Sequence, residues 1–459
     1  MFILITLLFN SVFFSQYLMP LNWLLIGGVV IIVMIGSFIH FNSKWSTINT
    51  KEFQKKIFTL SIIVNLISLL FTYLFCYLYN GTFFEPGAAD SINYHETSSI
   101  LAKNYRNGNF IFEQHLDVRD FSDYGYFWFL SYVYYIFGPY TLIARLFNVI
   151  FFALTVKSVY KITEITYDTS IAKTAALLTA FSPSLLFFIG VNLKEIVMIF
   201  ILVSAVLYAT KILLMHDNNL KNYFLLILSV ILLFFFRTVL GMVFIASFLI
   251  FYVLNIKLKK KIHKILSVLG TLVSISLVVY YLNSIGIIST ILEVFGQSES
   301  QTDAELNDKI SRGAGGGLSV QKVLVVPLLF VSVLIAPFAT LVFLDEQVEI
   351  AWLFSGNLIK NILVFFALFG IWFSFKYFRK QTSLIISILF SYCIVLAVSA
   401  QTTSSRYQLV SIPFLNIFVA LGIHKLNSRQ PKLFIPYLFF IFLAIFAWNY
   451  FKLSIRNLI

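Results

Sequence analysis

Charge is what this chain has least of. Only 12% of its 459 residues are Asp, Glu, Lys or Arg, against 59% hydrophobic, and the mean hydropathy is +0.90. That balance excludes a water-soluble globule, whose surface needs charged side chains. Cysteine is nearly absent: Cys76 and Cys393 each lie inside an apolar run, with no CxxC pair and no histidines at metal spacing. Neither a disulfide nor a zinc site is indicated, and both read as small core residues. No phosphate-cradling loop, dinucleotide fingerprint or haem motif occurs, which argues against a primary pump or a redox enzyme. The run Met1 to Tyr17 has no basic n-region and no small-residue cleavage site, so a retained span is expected there rather than a removed signal peptide. No repeat of the inverted-transporter kind joins the two halves.

What the chain does have is a succession of apolar runs of about 20 residues, the length that crosses a bilayer as a helix. Backbone groups in lipid must bond internally, and these runs are too long and too evenly apolar for barrel strands, so the expected fold is an all-α polytopic membrane protein. The runs fall at about 2–18, 22–41, 57–79, 141–163, 171–190, 196–214, 222–236, 238–255, 263–283, 357–377, 382–400, 407–424 and 433–451, or about 13 transmembrane helices. Three regions are expected: an N-terminal pair of spans at 1–56, a core at 57–255 with an outer loop at 80–140, and a helical region at 256–459 with an outer loop at 284–322.

The net charge of +13 sits in short connections, where it sets orientation rather than binding nucleic acid. Lys44, Lys51, Lys55 and Lys56, then Lys157, Lys161 and Lys173, then the lysines at 257–264, then Lys376, Arg379 and Lys380 all fall on one side if the N-terminus is cytoplasmic. The polar stretch at 80–140, the turn Val191 to Glu195, the loop at 284–322, the acidic turn Asp345, Glu346 and Glu349, and the turn Gln401 to Arg406 then share the other side. The working face is therefore expected to be extracytoplasmic. Composition rich in Lys, Asn, Ile and Phe is compatible with an AT-rich bacterial genome, and so with a bacterial inner membrane.

Two segments depart from simple hydropathy. The aromatic run Tyr126 to Phe137 is too short to span and suits the interface, where amphipathic rings settle. The run Val323 to Leu344 is broken by Pro327 and Pro337, and a re-entrant segment or interfacial helix pair is expected there.

The densest chemistry lies in the polar stretch from Glu85 to Tyr126. Asp90 follows Pro86-Gly87-Ala88-Ala89 and opens an amphipathic helix, with Tyr94, His95 and Glu96 within two turns. A carboxylate there can serve as a base at the membrane surface or as an N-cap, and both readings stand. His95 reads more readily as part of a solvated helix face than as a proton carrier. Lys194 and Glu195 place a cation and an acid at the outer end of a helix pair, where ionisable groups mark function unless they snorkel to the interface. Arg237 interrupts LLFFF and TVLGMVF at a hairpin turn, and Arg406 with Tyr407 repeats the pattern at another outer mouth. Arginine suits phosphate because its planar fork binds two oxygens. Arg145 reads equally as an anchor.

These residues resemble the GT-C class of integral-membrane glycosyltransferases, in particular bacterial members similar to dolichyl-phosphate-mannose mannosyltransferases and to exopolysaccharide-assembly enzymes. The resemblance is carried by Asp90 with Tyr94 and His95, by Asp123 to Ile162, by FSPSLLFF with LKE (Phe181 to Glu195) and by SSRYQLVSIPFL (Ser404 to Leu415). It implies transfer of a sugar from a polyprenyl-phosphate or polyprenyl-diphosphate carrier to a glycan, lipid or protein acceptor. In that class an acid of the first outer loop acts as base, a role falling on Asp90, and an acid of the second outer turn supports it, a role falling on Glu195. Lys194, Arg237 and Arg406, with Tyr94, His95 and Tyr407, would then face the substrate and the lipid phosphate.

The chain departs from the class in carrying a single Asp in the first loop and Lys-Glu in the second turn. A lone carboxylate beside a lysine favours a mechanism with no cofactor and no metal over a divalent cation held by several carboxylates. Alternatives from other classes are a polysaccharide polymerase acting on a diphosphate-linked glycan, a lipid-linked glycan flippase, and a non-enzymatic scaffold of envelope assembly.

Overall fold

The computed structural model describes residues 2–85, 87–110, 124–255, 333–343, 350–398, 404–426 and 430–454. Among the described residues the fold is helical throughout; the only β-pairing among them is a single bridge between Leu18 and Val342. The helices are α1 (Phe2–Phe13), α2 (Leu21–Lys44), α3 (Thr50–Asn80), α4 (Ala89–Arg106), α5 (Tyr124–Phe137), α6 (Thr141–Thr166), α7 (Thr169–Ala180) and α8 (Pro183–Ile189). They continue as α9 (Glu195–Met215), α10 (Leu220–Phe236), α11 (Thr238–Asn255), α12 (Ile350–Tyr377), α13 (Arg379–Val398), the short α14 (Ser405–Gln408), α15 (Ile412–Lys425) and α16 (Phe434–Ser454).

Nine described helices are long and apolar enough to cross a membrane, or ten if α7 and α8 count as one. The expected 13 is not reached among the described residues, for physical reasons. The run at 2–18 forms a helix of only 12 residues. The run at 222–236 gives α10, whose 17 residues fall just short. The run at 171–190 is bent by 52° at Phe181-Ser182, because Pro183 at the start of α8 has no N–H to continue the preceding helix. The run at 263–283 lies outside the described residues, as do the loop at 284–322 and the acidic turn at 345–349.

Of the stretch at 323–344 only 333–343 is described: 333–335 are helical and the rest runs as irregular backbone. This strap is buried in protein, and side chains of two helices satisfy its polar groups. Asn361 of α12 donates to the carbonyls of Ile335 and Pro337, and Lys360 donates to Ala336. Asn449 of α16 accepts from the N–H groups of Leu341 and Val342 and donates to the Ala339 carbonyl.

The most enclosed helices are α9 and the α14–α15 segment, 72% and 83% buried over their apolar windows. Around them pack α6, α7, α12 and α13. The crossing of α12 and α15 depends on two glycines. A Cβ on Gly370 would lie 1.9 Å from the Phe418 carbonyl oxygen, and one on Gly422 would lie 1.9 Å from that of Phe366, so the backbones touch where small residues permit it. Outward faces are apolar: Leu25, Ile32 and Ile39 form an exposed stripe along α2, as a lipid-facing helix requires. The first large loop, where interfacial helices are expected, holds the helices α4 and α5, which pack on each other.

The bundle has two chemically distinct ends. At one, Lys173 donates to the carbonyls of Ser46 and Ile48, each at 2.7 Å, and Thr174 bonds His424, tying α7 to the loop after α2 and to the end of α15. The other end carries α4, α5, the 190–194 turn and the start of α14.

Candidate active site

Asp90 sits in the first turn of α4, one residue past the start, and the N-cap position is taken by Ala88 with no side-chain bond. The capping alternative therefore falls away. Gly87, at φ +70°, supplies the left-handed turn that aims α4 into place. The Asp90 carboxylate, which the helix N-terminus favours as an anion, instead accepts from Nη1 of Arg406. Nε of the same guanidinium donates to Glu195, the first residue of α9. Three segments far apart in the chain thus meet on one cation.

The two arms of this clamp differ. The Asp90 side chain is 58% exposed, whereas that of Glu195 is 2% exposed and its Oε2 has no hydrogen-bond partner. Lys194 is buried beside it. Burial first, then the positive charges of Arg237 and Arg406, push the Lys194 amine down to about 7, while Glu195 and Asp90 oppose the shift. Arg237 follows the last residue of α10, and its guanidinium lies 4.6 Å from the centroid of the Tyr407 ring. Two acids, three cations and a tyrosine from five elements therefore converge.

Tyr94 comes to the same place by a different route. It is buried edge-on against Tyr126 and Phe127 at 4.8 and 4.9 Å, and Glu195, Arg406, Asp90 and Arg237 all act on it electrostatically. Its main work is to pack α4 on α5. His95 lies apart: its Nδ1 is 2.9 Å from the Tyr134 hydroxyl, and the charges that reach it are those of Glu96 and Arg145. Burial lowers its basicity.

Glu85 and Asn192, which sequence did not single out, support the site together with Arg145. Glu85 is buried and accepts from Ser91, the neighbour of Asp90; burial raises its carboxyl above the usual range. Asn192 is fully buried, donates to the Ser91 carbonyl at 3.2 Å and accepts from the Tyr126 hydroxyl at 3.2 Å, locking the turn before α9 onto α4 and α5. Arg145 is 1% exposed, donates to the Phe83 carbonyl at 2.8 Å and lies 5.2 Å from the Tyr73 ring. It pins the loop that leads to α4, and the reading as an interfacial anchor is corrected accordingly. The signal was available in sequence: an arginine four residues into a long span is costly unless it is paired inside the protein.

Asp90 and Arg406 border a cavity of about 480 Å³. Phe187, Phe188, Val191 and Leu193 form an apolar side, and Asn357, Ser404 and Ser405 a polar one. Among the described residues no three His, Cys, Asp or Glu side chains come together as metal ligands. The position between the two carboxylates is filled by the Arg406 guanidinium.

The model of the dolichyl-phosphate-mannose-protein mannosyltransferase family matches residues 124–281, from α5 through α11 and beyond, a region that includes Lys194, Glu195 and Arg237. No curated protein matches. Solved structures that align include the archaeal oligosaccharyltransferase AglB from Archaeoglobus fulgidus in complex with an inhibitory peptide and a dolichol-phosphate, at 14% identity and a TM-score of 0.48 over 89% of this chain and 56% of that one. The apo form of the Archaeoglobus fulgidus oligosaccharyltransferase aligns at 16% identity and a TM-score of 0.46, over 89% and 56%. The chain thus spans little more than half the length of these proteins, and a likeness of this degree carries no argument about chemistry. The family match agrees with the resemblance read from the sequence over residues 124–281, about a third of the chain.

Proposed function

We propose that the chain transfers a sugar from a polyprenyl-phosphate-type lipid carrier to an acceptor at the extracytoplasmic face of a bacterial inner membrane, in the assembly of a cell-surface polysaccharide. The observation that carries this reading is the Arg406 clamp on Asp90 and Glu195 at the rim of a cavity with one apolar side. The family match supports a phosphate-linked sugar donor.

In the proposed reaction an acceptor hydroxyl oxygen attacks the anomeric carbon from the face opposite the phosphate. The bond from that carbon to the phosphate oxygen breaks, and its electron pair leaves with the lipid phosphate. Asp90, the exposed carboxylate, takes the hydroxyl proton. Arg406, Lys194 and Arg237 neutralise the charge developing on the departing phosphate. Glu195, buried and ion-paired, orients Arg406 rather than touching substrate. The reaction is inverting and metal-independent on this reading.

The test uses the full chain in lipid nanodiscs with a radiolabelled polyprenyl-phosphate sugar and a mixture of candidate acceptors. Release of polyprenyl phosphate by the wild type, and its loss in Asp90→Asn with insertion intact, is the expected result. Undiminished transfer by Asp90→Asn would remove the proposed base.

A further inference from the structure

The cavity beside Asp90 and Arg406 has a side that this chemistry does not use. Thr340 of the strap, Asn357 of α12, and Trp448 and Lys452 of α16 line it. Trp448 and Lys452 are one helical turn apart and share a face. The indole is held firmly: its Nε1 donates to Thr340 Oγ1 at 3.0 Å, and the Lys452 ammonium lies 5.4 Å from the ring centroid. The adjacent Asn449 binds Ala339, Leu341 and Val342 of the strap, so the strap and α16 are fastened together. Asn357 donates to Ser405 at 3.3 Å, next to Arg406, which links this side of the cavity to the clamp.

An indole face suits the apolar face of a sugar ring, and amide and hydroxyl groups suit its hydroxyls. A lysine at the indole suits a carboxylate or phosphate carried by that sugar. Tryptophan and lysine near a helix end commonly anchor a span at the interface. Here the indole N–H is bound inside the protein, and both side chains border a cavity shared with the acids. We propose that Trp448 and Lys452 form an acceptor subsite selective for an anionic sugar, such as a uronic acid. This rests on the sugar-transfer reading above and names the acceptor class for that site.

The experiment is a calorimetric titration of the full chain in zwitterionic lipid nanodiscs with two probes: a short oligosaccharide ending in glucuronic acid and its neutral glucose counterpart. The wild type is expected to prefer the acidic probe by about tenfold, the scale of one charged hydrogen bond. Lys452→Gln is expected to erase the preference, bringing the affinities for the acidic and neutral probes together. Trp448→Ala weakens both probes, and Trp448→Phe, which keeps a ring, recovers part of the loss. A preference that survives Lys452→Gln overturns the subsite. So does a preference abolished by adding phosphatidylglycerol to the nanodisc, which would assign Lys452 to a lipid headgroup. Preferential binding without transfer from any lipid-linked sugar would sink the transferase reading and leave the subsite standing; transfer without preference would do the reverse.

Discussion

Arg406 and Glu195, 211 residues apart in the chain, form the buried arm of the clamp, with the Glu195 side chain only 2% exposed. The partner arm to Asp90 is open to solvent. The arms therefore divide the work: the inner one holds structure, and the outer one is free to exchange partners. Removing one member of a buried pair leaves an uncompensated charge and costs about 3–5 kcal/mol, whereas an exposed pair contributes at most about 1 kcal/mol.

Arg406→Ala is accordingly expected to lower thermal stability by about 3–5 kcal/mol, because the buried Glu195 carboxylate loses the guanidinium it is bonded to. The double variant Arg406→Ala with Glu195→Gln should recover most of that loss. Unfolding of purified protein followed by a thermal-shift assay checks both. Equal instability of the single and double variants would show that the pair is not what the region depends on.

Asp90→Asn is expected to leave stability within about 1 kcal/mol, since its pairing is solvent-exposed. Transfer should fall by roughly 100- to 10,000-fold, the range for loss of a general base. Radiolabelled transfer in nanodiscs provides the measurement, alongside thermal shift on the same sample.

The Lys194 amine, held down to about 7 by burial and by Arg237 and Arg406, is charged below that pH and neutral above it. Affinity for polyprenyl phosphate should therefore decline as pH rises through about 7. Arg237→Gln removes one of the opposing charges, so the midpoint should move to higher pH. Lys194→Arg stays charged and should flatten the profile. A binding titration between pH 6 and pH 9, roughly the span over which a group near 7 loses its proton, reads these shifts directly.

Glu85 is raised above its ordinary 4.5 by burial, so the folded protein retains a proton that the unfolded chain releases. Stability contributed by this protonated group is full below the unfolded value and is lost as pH rises through the folded one. Glu85→Gln keeps an oxygen for Ser91 and removes the titration. The variant should match the wild type in acid and exceed it at neutral pH, as read from melting temperature against pH. A variant less stable than the wild type at neutral pH would mean that Glu85 is charged and paired there.

Gly370→Ala or Gly422→Ala sets a methyl group 1.9 Å from a carbonyl oxygen of the facing helix, well inside van der Waals contact. Each is expected to cost about 1–3 kcal/mol or more through forced separation of α12 and α15. Yield of monodisperse protein and its melting temperature measure the effect.

The composition of the chain made its helical, membrane-embedded nature legible, and the placement of basic loops separated the end carrying Lys173 from the end carrying Asp90. Asp90, Lys194, Glu195, Arg237 and Arg406 were legible because each breaks an apolar run at a helix end, where a charge is costly without a purpose. The geometry was not legible: that one guanidinium serves both acids depends on α4, α9 and α14 meeting, which periodicity does not encode. His95 has the same sequence credentials as Asp90, but it turns toward Tyr134. Asn192 and Glu85 escaped notice because buried polar residues in short loops look like ordinary surface residues until their partners are known. The bend at Pro183 was readable, and hydropathy averaging concealed it.

The apolar side formed by Phe187, Phe188, Val191 and Leu193 has a kinetic consequence on the proposed reading. A carrier recognised through a greasy tail arrives by diffusing sideways in two dimensions rather than through water. Turnover should then follow the number of carriers per phospholipid, not per litre, so that enlarging the bilayer at constant carrier slows the enzyme even though no bulk concentration has changed.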